Sequence, residues 1–187
     1  MIALVSGGAA SGKSAYAESL CLSLGGPRIY LAAMRPFGEE GAARVCKHRA
    51  QRAGKGFTTI ECYEGLGGAV ADERLAGATV LLEDLGNVAA NALFGGNGNA
   101  DAVKEQVLAQ LVMLAQRCEN LVVVANELGA DGVPYPPETR IYQELEGALA
   151  CAIAARSQHV AFCEAGVAHV LKGQGQRACG AIRKAVS

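Results

Sequence analysis

The chain has 187 residues, of which 51% are hydrophobic and 19% charged, with a formal net charge of −1 at pH 7. This length predicts one domain spanning residues 1–187, and the apolar content excludes a disordered chain. The balanced charge excludes a broad basic surface for nucleic acid. The sequence shows neither a targeting pattern nor the roughly 18 consecutive apolar residues of a membrane span, so a cytoplasmic protein is expected. Seven scattered cysteines without a CxxC pair are expected to be mostly reduced.

Short apolar runs alternate with longer helical patterns along the chain, which predicts an α/β fold with a mostly parallel sheet between helices. The predicted strands are Ile2–Ser6, Arg28–Ala33, Val80–Glu83, Leu121–Asn126, His159–Cys163 and Ala168–Lys172. The predicted helices are Lys13–Leu24, Glu39–Gln51, Ala102–Arg117 and Thr139–Arg156. Loops are predicted at Gly65–Gly68, Gly95–Asn99 and Gly132–Pro137. The segment 173–187 is predicted to be either a terminal helix or a loosely ordered tail.

The first predicted strand leads into a glycine-rich turn that opens a helix, the context in which a phosphate-binding loop is found. The turn consists of Gly7, Gly8, Ala9, Ala10, Ser11, Gly12, Lys13 and Ser14. Glycines allow successive N–H groups to converge on phosphate oxygens, and the helix N-terminus adds positive potential. Lys13 is expected to contact the β- and γ-phosphates and Ser14 to hold Mg²⁺. The sequence therefore predicts a nucleotide-phosphate site here.

A second acidic element agrees with this interpretation. The apolar strand before Glu83 and Asp84 ends in these two acids, as in P-loop proteins that present a carboxylate to magnesium-bound water. Adjacent residues of an extended chain point to opposite sides, so one of the two is expected to face the site. Glu83 is favoured over Asp84 as a magnesium ligand, and a solvated strand end is the alternative for both.

A histidine lies within a basic helical pattern. Arg44, His48 and Arg52 are spaced at i, i+4 and i+8, so they share one helix face. Neighbouring cations disfavour the imidazolium and leave more of the neutral form, which can attack phosphorus. By itself this pattern is more typical of a solvated basic helix in which the histidine is incidental, and both interpretations stay open.

These segments together resemble the bifunctional adenosylcobinamide kinase and adenosylcobinamide-phosphate guanylyltransferase family of cobalamin biosynthesis. The resemblance follows family order over roughly the first 140 residues, which is more specific than one motif. Its segments are Gly7–Ser14, Arg28–Ala32, Arg44–Arg49 with His48, Glu61–Cys62, Leu81–Glu83, Asn91–Phe94 and Asn126–Gly129 leading to Gly132–Pro134.

The resemblance implies a P-loop fold related to RecA, in three layers, and a protein that works as a homo-oligomer, with a trimer expected. It implies phosphorylation of adenosylcobinamide and transfer of GMP from GTP to adenosylcobinamide phosphate through a guanylylated histidine, with GTP and ATP as substrates and Mg²⁺ as cofactor. It implies His48 and Lys13 as the catalytic residues. The implied nucleotide-binding residues are Gly7–Ser14, Leu31, Ala32, Ala33, Arg49, Ala50, Gln51, Arg52, Glu61 and Glu83, with Ser14 and Glu83 also as metal ligands.

Two other functions remain open from the residues. One is a small-molecule P-loop kinase without guanylyl transfer, in which His48 is idle. The other is a non-catalytic nucleotide-binding regulatory protein. The stretch from Thr139 to Cys151 departs from the family pattern, and this helix is where acceptor or subunit contacts are expected.

Overall fold

The computed structural model describes residues 1–36, 38–39, 41, 45–46, 50, 52–96, 98–129 and 132–173. The strands in these ranges are β1 Ile2–Gly7, β2 Arg28–Ala32, β3 Phe57–Glu61, β4 Thr79–Glu83, β5 Asn120–Asn126, β6 His159–Glu164 and β7 Val167–Lys172. The helices that lie wholly within these ranges are α1 Lys13–Leu24, α2 Gly67–Val70, α3 Leu85–Gly95, α4 Ala100–Arg117 and α5 Pro137–Arg156, and a short 3-10 helix covers Glu73–Leu75.

One sheet contains the seven strands of the described residues, in the order β3-β2-β4-β5-β1-β6-β7. All neighbouring pairs are parallel except β6 and β7, which form an antiparallel hairpin at one edge. β1 lies in the interior between β5 and β6. The loop that follows β1 therefore emerges at the carboxyl edge of the sheet, where α/β proteins bind ligands.

The buried side chains form two clusters, one on each face of the sheet, because residues alternate between faces along a strand. On one face α1 contributes Ala17, Leu20 and Cys21, which pack with Val5 and Val124. On the other face the longer helices pack against the sheet, with α3, α4 and α5 supplying Val88, Val107 and Leu149, for example. This arrangement confirms the predicted α/β P-loop fold with a mostly parallel sheet.

The six predicted strands and the helices α1, α4 and α5 are present, with ends displaced by at most two residues. In the predicted helix Glu39–Gln51, the described residues Glu39, Gly41, Val45, Cys46 and Ala50 are helical. The predicted tail lies outside the described residues from position 174 onwards. Among the helices of the described ranges, none has both the length and the apolar character needed to cross a membrane.

Three elements were missed, besides the short 3-10 helix Glu73–Leu75. β3 has exposed residues at Thr58 and Thr59, so it lacks the apolar alternation of a strand and depends on pairing with β2. α3 carries Gly86 and two asparagines, which are poor helix formers, and its start is instead set by the Asp84 cap. The predicted loop Gly65–Gly68 was wrong in part, because α2 begins at Gly67.

Cysteine placement agrees with the expectation of reduced thiols. The six described cysteines are all free, and four of them are buried: Cys21, Cys62, Cys118 and Cys163. Burial raises the pKa of the Cys21 and Cys62 thiols to about 12, so both are protonated at neutral pH. These cysteines serve as small apolar core residues.

Candidate active site

The phosphate loop follows β1 directly, and its shape depends on two glycines. Gly7 has φ 155° and Gly12 has φ 93°, values that side chains with a Cβ rarely adopt. A Cβ at Gly7 would overlap the backbone carbonyl oxygen of Cys163, on the neighbouring strand β6. A Cβ at Gly8, in contrast, would meet nothing within 4 Å. Gly7 is therefore required by close approach of the backbone, whereas Gly8 borders open space.

The β6–β7 hairpin supports the loop from one side. Its turn contains Ala165 and Gly166, both with positive φ, of 49° and 79°. The Gly166 amide donates a hydrogen bond of 3.0 Å to the Ser11 carbonyl oxygen. A Cβ on Gly12 would lie only 3.3 Å from the Gly166 Cα. The hairpin turn and the phosphate loop thus constrain each other.

Lys13 lies across the mouth of the loop. Its ammonium donates a hydrogen bond of 3.0 Å to the Gly8 carbonyl oxygen, and only 9% of the residue is exposed. Lys13 is also the first residue of α1, whose N-cap is Gly12 and which lacks a side-chain cap among the described residues. The first N–H groups of a helix have no intrahelical partner and favour anions. A cation and a helix N-terminus, which both favour anions, therefore converge at the mouth of the loop.

Glu83 is the acid that meets the loop. The Ser14 hydroxyl donates a hydrogen bond to Glu83 Oε1, and Glu83 itself is only 7% exposed. The next residue, Asp84, is joined to Glu83 by a cis peptide bond. Its carboxylate caps α3 by accepting from the Asn87 amide at 2.8 Å. A hydroxyl oxygen and a carboxylate oxygen side by side next to a phosphate loop are oxygen ligands of the type that Mg²⁺ takes.

On the α1 face, a chain of charged and aromatic side chains extends from Glu83. The Tyr30 hydroxyl hydrogen bonds with Glu83, and burial, followed by the Glu83 charge, raises the pKa of that phenol. The Arg52 guanidinium stacks on the Tyr30 ring, with its central carbon 3.3 Å from the ring centroid. Lys55 forms an ion pair with the buried Glu18. Burial raises the pKa of Glu18, and the Lys55 hydrogen bond opposes that shift.

Arg52 belongs to this site although its basic helix is only partly described. It is 7% exposed, and its Nη1 has no hydrogen-bond partner in the described part of the chain. A depression of about 450 Å³ lies beside it, lined by Arg52, Gly54, Gly56, Phe57 and Thr59. A buried guanidinium N–H without a partner is costly unless a ligand satisfies it. This side chain is therefore suited to contact an anionic ligand.

A second polar cluster lies on the opposite face of the sheet, where β4, β5 and α5 meet. Asn126 donates from Nδ2 to Asp84 at 2.8 Å and from its backbone amide to Glu146 Oε1 at 3.1 Å. The Tyr142 hydroxyl hydrogen bonds with Glu146, one helical turn away on α5. Glycine at position 86 provides the space that this cluster needs, because a Cβ there would lie 2.8 Å from the Tyr142 hydroxyl. The cluster holds α5 against the ends of the strands.

Glu146 has an unusual protonation equilibrium. The residue is 1% exposed, and its pKa is raised to about 7, first by burial and further by the Asp84 charge. The Asn126 amide, the Tyr142 hydroxyl and the Lys13 charge oppose this shift. A neutral carboxyl in this position can donate as well as accept a hydrogen bond.

The structure places the other predicted nucleotide residues as follows. Leu31 and Ala33 have fully buried side chains in the core below α3 and α4, so only their backbone is near the sheet edge. Ala32 is half-buried at the end of β2, Glu61 is exposed at the end of β3, and Ala50 is exposed. His48, Arg49 and Gln51 lie outside the described residues, and their predicted roles stay predictions.

Tyr30, Asn126, Tyr142 and Glu146 were not singled out as site residues from the sequence. Glu146 offered a signal, because it interrupts the buried stripe of Leu145, Leu149 and Ile153 on α5. An acid on the apolar face of a helix needs a partner. The partners of Glu146 are Asn126 on β5 and Tyr142 in the preceding turn of α5. No local sequence pattern indicated Asn126, which lies on a different element.

The strand, loop and helix have the arrangement that cradles phosphate in P-loop proteins, and together with the Ser14–Glu83 pair they define a P-loop nucleotide-handling protein. Residues 3–171 match the family described as cobinamide kinase / cobinamide phosphate guanyltransferase, and the chain belongs to that family. The family comprises kinases and nucleotidyltransferases, which confirms the expected enzyme class and the resemblance drawn from the motifs.

Two relatives are similar to nearly the whole chain. The bifunctional adenosylcobalamin biosynthesis protein CobP of Pseudomonas aeruginosa (strain PAO1) is 33% identical over 172 residues, which cover 91% of this chain and 97% of the relative. The bifunctional adenosylcobalamin biosynthesis protein CobU of Escherichia coli (strain K12) is 30% identical over 183 residues, covering 92% of this chain and all of the relative. Both names describe the relatives as bifunctional proteins of adenosylcobalamin biosynthesis.

Proposed function

We propose that this protein phosphorylates the side-chain hydroxyl of adenosylcobinamide and then transfers GMP from GTP to the resulting phosphate, using one phosphate loop for both reactions. The observation that carries the proposal is the convergence of Lys13, Ser14 and Glu83 at the loop after β1. Membership of the cobinamide kinase / cobinamide phosphate guanyltransferase family supports the choice of acceptor.

In the kinase step, Lys13 and the amides at the start of α1 would bind the β- and γ-phosphates. The acceptor hydroxyl oxygen attacks the γ-phosphorus, the bond to the β-phosphate oxygen breaks, and the hydroxyl proton leaves with solvent or a base. Ser14 and Glu83 fit a magnesium site, since a hydroxyl and a carboxylate beside phosphates leave the remaining positions to phosphate and water. Bound Mg²⁺ would neutralise charge on the phosphate oxygens.

In the guanylyl step, His48 is the proposed carrier. A neutral imidazole nitrogen attacks the α-phosphorus of GTP, and the bond to pyrophosphate breaks. A phosphate oxygen of the acceptor then attacks the same phosphorus, which releases His48 and forms the new phosphoanhydride. Arg52, buried and stacked on Tyr30 at the end of the same basic segment, supports an anionic ligand on this side of the loop.

The decisive experiment follows label from GTP into the protein. Wild type and His48→Asn are incubated with GTP labelled at the α-phosphate and Mg²⁺, then denatured and separated from nucleotide. We expect acid-labile, base-stable label on wild type and none on His48→Asn. Kinase activity on adenosylcobinamide is measured on both proteins, and the variant should retain it.

The two other functions have their own outcomes in this experiment. Phosphorylated adenosylcobinamide without labelled wild-type protein would leave a P-loop kinase in which His48 is idle. If neither labelled protein nor phosphorylated adenosylcobinamide is formed, a nucleotide-binding regulatory protein remains as the function. ATP and GTP are compared as phosphate donors in the same assay. The homotrimer and the cytoplasmic location stay predictions, and sedimentation of the purified chain tests the first.

A further inference from the structure

A groove of about 340 Å³ opens beside the phosphate loop, on the side of α5. Gly8 of the loop forms one end of it, the residues after β5 form one wall, and the first turns of α5 form the other. The residues that matter to its chemistry are Gly8, Glu127, Tyr135, Thr139, Tyr142 and Gln143.

The groove adjoins the position of the terminal phosphate. Gly8 belongs both to the groove and to the loop, and its carbonyl oxygen accepts the hydrogen bond from the Lys13 ammonium. The space around Gly8 is open, since a Cβ there would have no neighbour within 4 Å. A ligand in the groove therefore lies next to the phosphate that Lys13 would contact.

The groove lies away from the nucleotide side of the site. Glu83, Tyr30 and Arg52 are linked on the α1 face of the sheet. α5, which forms a wall of the groove, packs on the opposite face through Leu145, Leu149 and Ile153. A nucleotide that extends from the loop towards Arg52 leaves the groove vacant for a second substrate.

The lining of the groove suits an uncharged, hydrogen-bonding molecule. Thr139, Tyr142 and Gln143 supply hydroxyl and amide groups, and Glu127 is the one charged residue among its lining residues. Without a cation in that lining, a polyanionic nucleotide is disfavoured. An alcohol on an amide-linked arm matches these donors and acceptors.

The walls of the groove are held by contacts within the chain. The Gln143 amide nitrogen would lie 3.3 Å from a Cβ at Gly129, whose φ is 79°, so glycine there lets the amide approach the loop. Tyr142 is oriented by Glu146, which in turn accepts from the Asn126 amide at 3.1 Å. Preorganised groups lose less conformational entropy when a ligand binds.

We propose that this groove binds the hydroxyl-bearing arm of the acceptor and directs its oxygen at the terminal phosphate, with Thr139 and Gln143 as hydrogen-bonding partners. This inference rests on the proposed function. A groove of about 340 Å³ holds only the arm, and the corrin ring stays outside. Leu128 and Phe94, 40% and 63% exposed, lie at or near its rim, where Phe94 contacts Tyr142, and provide apolar surface for the ring.

Gln143→Leu and Thr139→Val test the groove, with Gln106→Leu on the exposed side of α4 as the matched control. Equilibrium dialysis measures the Kd of adenosylcobinamide by its own visible absorbance, in the presence of a non-hydrolysable GTP analogue. We expect the Kd to rise about five- to tenfold in each groove variant, because each variant loses one hydrogen bond to a neutral group. The control Gln106→Leu should have the same Kd for adenosylcobinamide as wild type. The groove variants should still become labelled by GTP to the same extent as wild type.

Direct binding separates this inference from the proposed function. A weakened acceptor Kd in the groove variants supports the groove even if wild type proves inactive in both reactions. An unchanged acceptor Kd in both variants overturns it. The inference is also overturned if the Kd for the GTP analogue changes by as much as the acceptor Kd, because the groove would then be a nucleotide site. A changed sedimenting mass with an unchanged acceptor Kd would make it an interface between copies, and would also overturn it.

Discussion

The Ser14 hydroxyl donates a hydrogen bond directly to the Glu83 carboxylate, across 69 positions of sequence. Ser14 is the second residue of α1, after Lys13, and Glu83 ends β4, so the contact joins the phosphate loop to the carboxyl edge of the sheet. The pair is the part of the site that most sharply distinguishes a phosphate-transferring centre from a glycine-rich turn.

Replacing Glu83 with glutamine tests the proposed metal position. Glu83→Gln keeps the size and the ability to accept from Ser14 but removes the charge that would face Mg²⁺. We expect phosphate transfer to fall about a hundredfold or more, since the group would stabilise developing charge. Saturation should require a higher Mg²⁺ concentration. The measurement is initial rate against Mg²⁺ concentration at fixed GTP.

The matched control for this change is Glu105→Gln, an exposed acid on α4. It alters the net charge by the same amount and should leave both the rate and the Mg²⁺ dependence unchanged. If Glu83→Gln behaved like this control, Glu83 would have no part in holding the metal.

Gly7 and Gly8 are adjacent glycines, and alanine substitution is expected to destabilise the protein at the first position and not at the second. Gly7→Ala places a Cβ against the Cys163 carbonyl and forces φ out of 155°, so the strand or the loop must shift. We expect a loss of about 2 kcal/mol or more of unfolding free energy. For a chain of this size that lowers Tm by roughly 5 °C. Thermal unfolding followed by circular dichroism measures it.

Gly8→Ala serves as the internal comparison because its Cβ meets no atom within 4 Å. Its Tm should stay within about 1 °C of wild type, as expected for a Cβ pointing into open space. Equal destabilisation by both substitutions would mean that close approach of β6 is not what requires Gly7.

Arg52 contributes both a positive charge and a planar guanidinium that stacks on Tyr30. Substitution by lysine distinguishes the effect of the charge from that of the stacking. Arg52→Lys keeps the positive charge but loses the guanidinium stacked on Tyr30. We expect the Kd for GTP to rise about tenfold, with Arg52→Met at least as severe. Titration with a fluorescent GTP analogue measures the affinity.

Arg117→Lys, at an exposed position of α4, is the control for this pair of variants and should bind GTP like wild type. Unchanged GTP affinity in Arg52→Lys, with a loss only in Arg52→Met, would show that charge without stacking suffices.

Glu146 predicts a dependence of stability on pH. Its pKa in the folded protein is about 7, raised from 4.5, so the unfolded chain releases this proton at lower pH than the folded one. The folded state therefore binds more protons between these values, and its stability falls as pH rises from about 4.5 to 7. Glu146→Gln removes this loss, so the unfolding free energy of variant minus wild type should increase by about 1–3 kcal/mol from pH 5 to pH 8.

Urea unfolding at pH 5, 6, 7 and 8 measures that difference. Glu144→Gln, an exposed neighbour on the same helix, should show a difference independent of pH. A flat difference for Glu146→Gln as well would mean that Glu146 is already ionised in the native protein at pH 5.

Much of the fold was predictable because it depends on local patterns. The phosphate loop is recognised from consecutive glycines followed by a lysine, and α1 and the apolar strands are recognised from the spacing of their apolar residues. β3 and α3 escaped prediction for the opposite reason. The adjacent exposed residues Thr58 and Thr59 break the apolar alternation of a strand, and the sequence presents Asp84 as a possible metal ligand rather than as the cap that begins α3. A cap and a metal ligand share the same residue types, so the sequence does not separate them.

The sequence by itself determined that the chain is an α/β protein with a phosphate loop at Gly7–Ser14, and its motifs in combination indicated the family that the comparisons confirmed. Only the tertiary structure decided that Glu83 meets Ser14 whereas Asp84 caps α3 and accepts from Asn126. It alone brought Glu146 and Tyr142 beside the loop. The physical reason is that these contacts depend on strand order and helix packing, which join residues far apart in the chain.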